Sequence, residues 1–151
     1  VLLGWLRRGR CRRARERPRF ALARGREPGF VHARCPTWFP VTLVGGLLAE
    51  LGHVGPVRSP TYTLLEPYRL QGRDITHCDL YRLRHPDELD DLGLRELRGA
   101  GSVLLVEWPE KVEGRLSAAD LALTLEYVGP DARKLFAEAR SQAGQAVLGR
   151  L

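Results

Sequence analysis

Val103-Leu104-Leu105-Val106-Glu107 is an unbroken apolar run that ends in a carboxylate. Such a strand, buried on both faces of a parallel sheet, sets its terminal acid at the carboxyl edge of an α/β domain, where ligands bind. In nucleotide-hydrolysing enzymes an acid so placed helps hold Mg²⁺, directly or through water. Many strands also end in a plain solvated Glu, so the run alone decides little. Asp79 has a similar place after Ile75–Cys78, and its simpler reading is a solvated acid at a strand end. Ser59-Pro60-Thr61 reads either as a proline turn or as a segment whose hydroxyls approach phosphates or metal. Trp108 reads as rim packing or as an aromatic beside the acid. His77 and Cys78 are adjacent, so on a strand they face opposite ways and make a poor ligand pair. Cys11, Cys35 and Cys78 form no C-x-x-C pair, which argues against a structural zinc site or a disulfide framework.

The elements that would position these residues begin at Thr42. Leu43, Leu47, Leu48 and Leu51 recur at helical spacing over Thr42–Leu51, and Gly52 is a stop. Extended segments are expected over Thr61–Tyr68 and Asp74–Tyr81, with Gly72 marking the turn between them. Pro86–Leu92 reads as a short helix opened by Asp87 and Glu88 and ended by Gly93. Ser102–Val106 reads as a buried strand. Leu121–Tyr127 alternates and should pair with Lys134–Ala139 across Gly129-Pro130-Asp131, although Leu135, Phe136 and Ala139 also fit a helix. Gln142–Arg150 reads as a closing helix.

Composition divides the chain in two. The 151 residues are 44% hydrophobic and carry a formal charge of +6, with a mean hydropathy of −0.25. Residues 1–40 hold eleven arginines, no lysine and two acids, Glu16 and Glu27, a balance of +9. Residues 41–151 hold the other thirteen basic and sixteen acidic residues, a balance of −3. No apolar run nears the roughly 20 residues that cross a bilayer, and Val1–Leu6 has its arginines on the wrong side for a secretory signal. A cytoplasmic protein without a membrane role is expected. In residues 1–40, Pro18, Pro28, Pro36 and Pro40 interrupt any helical pattern, and arginine recurs without period. This part reads as a basic arm for RNA, as a tail without function, or as out-of-frame translation of GC-rich DNA. The last is the leading reading, so residues 1–40 are not expected to form an orderly first strand and loop. The expected layout is a 1–40 Arg-rich segment, disordered or mistranslated, followed by a 41–151 domain.

Several blocks act together where each alone is weak. They are Ser59-Pro60-Thr61-Tyr62-Thr63-Leu64, Glu66-Pro67-Tyr68, His77-Cys78-Asp79-Leu80-Tyr81-Arg82-Leu83, Leu92-Gly93-Leu94-Arg95 and Leu105-Val106-Glu107-Trp108-Pro109-Glu110. In this order and spacing they resemble the TsaE (YjeE) family, the ATPases of bacterial tRNA threonylcarbamoyladenosine biosynthesis. The resemblance covers about 110 residues, from Thr42 to the C-terminus. It implies an α/β fold, a P-loop NTPase-like sheet flanked by helices. It also implies ATP and Mg²⁺ as cofactors, TsaD and TsaB as partners, and tRNA reached through their complex. By the same resemblance Glu107 is the magnesium-linked carboxylate and Asp79 an essential acid of the nucleotide site. Trp108 would be a functional aromatic beside them, Thr61 part of a switch segment, Thr42 part of the helix after the P-loop, and Arg133 a neighbour of the adenine.

A P-loop needs G-x-x-x-x-G-K-[ST], whose backbone N–H groups wrap the phosphates, whose lysine reaches the β/γ oxygens and whose hydroxyl binds Mg²⁺. Counted back from Thr42, that window is Arg34-Cys35-Pro36-Thr37-Trp38-Phe39-Pro40-Val41. Phe39 stands for the second glycine, Pro40 for the lysine and Val41 for the hydroxyl. Lys111 and Lys134, the only lysines, lie far downstream. The chain is therefore expected to bind and hydrolyse ATP poorly, and another frame of the DNA upstream of Thr42 is expected to encode the loop. From other functional classes, the alternatives are a non-catalytic partner-binding module and a basic RNA-binding adaptor.

Overall fold

The structure is a computed structural model that describes residues 2–7, 29–34, 39–94, 97, 99, 101–112, 114–129 and 132–150. Seven strands form one mixed sheet: β1 (Leu2–Arg7), β2 (Gly29–Arg34), β3 (Leu65–Leu70), β4 (Arg73–Asp79), β5 (Val103–Glu107), β6 (Leu121–Gly129) and β7 (Ala132–Ala139). Their spatial order is β1-β7-β6-β2-β5-β4-β3. The four inner strands β6, β2, β5 and β4 run parallel, and antiparallel neighbours close both sides. Three α-helices, α1 (Phe39–Glu50), α2 (Glu88–Asp91) and α3 (Gln142–Leu148), and a 3-10 helix over Pro109–Val112 complete the described fold.

All five residues of β5 are buried, the property its apolar run predicts for a parallel strand covered on both faces. Alternation divides them. Val103 and Leu105 pack with Ile75 of β4, with Val44 and Leu48 of α1 and with Leu51 just beyond its end. Leu104 and Val106 pack with Cys78, Leu80, Leu83, Leu89 and Leu94 on the opposite face. Helix α1 thus covers one face of the inner sheet, while α2 and its flanking loops cover the other. His77, Asp79 and Glu107 fall on the α1 face by the same period of two.

Helix α1 starts at Phe39, three residues before the apolar spacing begins. Pro40 is compatible with this because the first-turn amides of a helix lack partners in any case. The helix ends as Gly52 implies. Its φ is 94°, Gly52 N donates to Ala49 O at 3.0 Å and His53 N to Leu48 O at 2.8 Å, a Schellman closure. Gln71 and Gly72, with φ of 51° and 74°, form the two-residue turn joining β3 to β4. The ambiguous Lys134–Ala139 segment is a strand, in register against β6 from Leu121↔Ala139 to Tyr127↔Arg133.

Two differences from the sequence reading have physical causes. Thr61–Leu64 is not part of a strand, because Ser59 and Thr61 turn inward to bond Asp79 and Leu64 N closes a turn on Pro60 O at 2.6 Å. The strand begins only at Leu65. Within residues 1–40, where no strand was expected, Leu2–Arg7 pairs with β7 and Gly29–Arg34 lies between β5 and β6. Strands β5 and β6 would otherwise present facing rows of unpaired N–H and C=O groups, so a strand is required there whatever its side chains. The rest of residues 1–40, apart from Phe39 and Pro40, is outside the described residues.

Candidate functional site

Parallel pairing in the β4–β5 ladder sets Asp79 opposite Glu107 at the carboxyl ends of both strands. On the other side of β5, Ala33 of β2 is the register partner of Glu107. The two acids are therefore neighbours at the edge of the sheet from which β2 leads toward α1. Both are buried, at 3% exposure each, so neither is the solvated strand-end acid of the simpler reading.

Asp79 is saturated with donors. Its Oδ2 accepts from Ser59 Oγ at 2.5 Å and Thr61 Oγ1 at 2.8 Å, and its Oδ1 accepts from Tyr81 N at 3.0 Å. The Ser59 and Thr61 hydroxyls are also 2.8 Å from each other. Backbone bonds fasten the same loop, since Asp79 N donates to Leu64 O at 3.1 Å. Leu64 has a φ of 64°, a conformation held by its bonds on both sides.

Glu107 is engaged by a residue that the sequence analysis set aside. His77 Nε2 lies 2.7 Å from Glu107 Oε1, and the imidazole is fully buried. Register explains the contact: His77 precedes Asp79 by two residues, which puts it on the same face and one diagonal step from Glu107. The His77-x-Asp79 spacing was the available signal, but only the β4–β5 register connects it to Glu107. Cys78 faces the other way into the core, with its thiol pushed up to about 12 by burial first and then by the charges of Asp79 and Glu107. Among the described residues no group of three or more His, Cys, Asp or Glu could hold a metal ion.

Trp108 follows Glu107 with a φ of 57° and packs against the core on the α2 face. Its ring is 5.1 Å from that of Tyr81, over which Lys111 Nζ sits at 5.6 Å. Tyr62, 83% exposed, has the Arg82 guanidinium 4.0 Å above its ring. Four of the sequence-derived residues, Asp79, Glu107, Thr61 and Trp108, thus gather at one sheet edge. Thr42 does not join them by contact and is exposed in the first turns of α1. Arg133 lies on β7, separated from β5 by β6 and β2.

A parallel inner sheet, a helix following its central strand and two acids ending the adjoining strands define a P-loop NTPase-like α/β domain. Comparison with known proteins narrows the class. The family model described as "Threonylcarbamoyl adenosine biosynthesis protein TsaE" matches residues 41–135. A Haemophilus influenzae protein named "tRNA threonylcarbamoyladenosine biosynthesis protein TsaE" is 42% identical over 107 residues, spanning 71% of this chain and 67% of that one. A Bacillus subtilis protein of the same name is 34% identical over 94 residues, spanning 62% of this chain and 58% of its own length. The chain belongs to the TsaE family. The crystal structure of Bacillus subtilis YdiB shares the fold, with a TM-score of 0.63 at 22% identity over 82% of this chain and 76% of that one.

Proposed function

We propose that this chain serves tRNA threonylcarbamoyladenosine biosynthesis, working with TsaD and TsaB, and that it binds and hydrolyses ATP poorly. The observation that carries the first part is the Asp79–Glu107 pair, buried side by side at the carboxyl edge in a chain of the TsaE family. The second part rests on the window 34–41. It runs from the last residue of β2 into the first turn of α1, the position a phosphate loop occupies between strand and helix. The residues there do not fit ATP. Pro40 offers neither an amide donor nor a charge, Phe39 stands where the motif has its second glycine, and Val41 has no hydroxyl for a metal. Asp79 has both oxygens committed to Ser59, Thr61 and Tyr81 N, and Glu107 commits Oε1 to His77.

Its own residues support a binding role. Ser59 and Thr61 hold the 59–64 loop onto Asp79, which presents Tyr62 and Arg82 outward beside Tyr81, Trp108 and Lys111. Tyr and Arg are among the side chains that most often anchor protein interfaces, and Tyr62, Tyr81 and Arg82 are exposed here, which favours a partner surface at this edge. The test is a reconstituted tRNA modification reaction containing TsaD and TsaB, with and without the chain, beside direct measurement of ATP affinity. Stimulated modification together with negligible ATP binding is the expected result. Absence of both stimulation and association with TsaD and TsaB would remove the proposal.

A further inference from the structure

His77 has no part in the proposed function, yet it is fully buried beside the candidate acids. Its Nε2 meets Glu107 Oε1 at 2.7 Å, while its buried Nδ1 has no hydrogen-bond partner among the described residues. A carboxylate oxygen only accepts, so the hydrogen between them is carried by Nε2. An aliphatic side chain at this position, opposite Leu105 and two residues from Ile75, would bring no polar atom of its own to leave bare, but it would take away the donor that Glu107 Oε1 meets. The imidazole therefore makes one hydrogen bond at the cost of another group left bare, and that bond is to Glu107.

We propose that His77 is a positioning residue for Glu107, whose Nε2–H commits Oε1 to the fold and fixes the carboxylate at the sheet edge, leaving Oε2 to meet a ligand. The arrangement has the form of an outer-shell partner, which orients a functional side chain without touching what that side chain binds. The identity of that ligand rests on the proposed function; the positioning does not.

The test uses the full chain with ¹⁵N-labelled histidine and ¹³C-carboxyl-labelled glutamate. In the unaltered protein the imidazole spectrum should show Nε2–H. His77→Gln keeps a donor near the place of Nε2, whereas His77→Leu keeps the volume and loses the donor. The Glu107 carboxyl signal, assigned by its loss in Glu107→Gln, should shift in His77→Leu and return in His77→Gln. Thermal melts check that both variants fold. If His77→Leu does not fold, the imidazole spectrum and the His77→Gln signal decide. An Nε2 without hydrogen, or a Glu107 signal unmoved in folded His77→Leu, overturns the proposal. In the reconstituted modification reaction, His77→Leu and Glu107→Ala should each lower the chain's contribution about tenfold, with recovery in His77→Gln. A Glu107→Ala variant with full effect in that reaction would overturn the functional reading of Glu107, while the spectra still judge the positioning.

Discussion

Asp79 accepts three hydrogen bonds, two at Oδ2 and one at Oδ1, and two of the donors come from the loop that precedes β3. Replacing it with Asn removes the charge that strengthens these bonds and turns part of the group into a donor facing donors. Asp79→Asn should leave the chain folded but less stable by about 1.5–3 kcal/mol, read by urea denaturation. Hydrogen exchange at the Leu64 amide should speed up in the same variant, because the loop loses its anchor. Unchanged exchange there would mean that the backbone bonds hold the loop without Asp79. Cys78, one residue away, behaves differently. With its thiol pushed up to about 12 by burial and the adjoining charges, it should resist alkylation at neutral pH until the chain unfolds. The linkage sign follows: the contribution is fully present below the thiol's unfolded value near 9 and is lost as pH rises from there through about 12. Denaturation midpoints in wild type and Cys78→Ala should diverge less above pH ~9 than below it. The strand-end places of Asp79 and Glu107 were legible in the sequence, that of Glu107 because it closes an apolar run and that of Asp79 because it follows Ile75–Cys78. The His77–Glu107 bond was not, because it depends on how two strands 28 residues apart are registered.

Elements were legible where periodicity and turn residues agreed. Strand β5, the β6–β7 pair and helix α1 lie where apolar spacing put them, within a few residues. Thr61–Leu64 was missed since side-chain bonds to Asp79, which no local pattern encodes, hold it in a turn. Strand β2 was missed because its place is set by the open edges of β5 and β6 and not by a period-two pattern of its own. Helix α3 shows how closely the elements meet. Ser141 Oγ accepts from Gly144 N at 3.1 Å and donates to Asp120 Oδ1, fastening the helix start to the entry of β6. A Cβ on Gly144 would lie 1.9 Å from Asp120 O, a backbone atom with little freedom to move. Gly144→Ala should therefore cost more than about 2 kcal/mol, through displacement of α3, whereas Ser141→Ala should cost about 1 kcal/mol as a lost cap. Urea denaturation of both variants tests the order. A Gly144→Ala protein as stable as the parent would show that α3 shifts without loss. Leu48→Ala, at a fully buried position between α1 and the sheet, should cost about 2–5 kcal/mol.

At the scale of the whole molecule, the proposed function divides a nucleotide site in two: the sheet would supply the acids, and the strand-to-helix window lacks the residue types of a phosphate loop. Strand β2 ends at Arg34 and helix α1 begins at Phe39, so residues 34–41 span the place where a phosphate loop would sit. Glu107 is one register step from β2, paired with Ala33. Replacing residues 34–41 with G-x-x-x-x-G-K-T restores the backbone cradle, the lysine and the hydroxyl without touching the buried acids. The restored protein should bind and hydrolyse ATP in the presence of Mg²⁺, while the parent chain should do neither measurably. In the restored protein Glu107→Ala and Asp79→Ala should nearly abolish turnover, by on the order of 100-fold or more, with circular dichroism still showing a folded chain. Two outcomes are informative in different ways. A restored loop that confers no ATP binding would mean that the strand-to-helix passage differs from a phosphate loop in more than side chains. Turnover in both alanine variants close to that of the loop-restored protein itself would instead remove the chemical roles of the two acids, leaving Asp79 as the anchor of the 59–64 loop and Glu107 as a buried partner of His77.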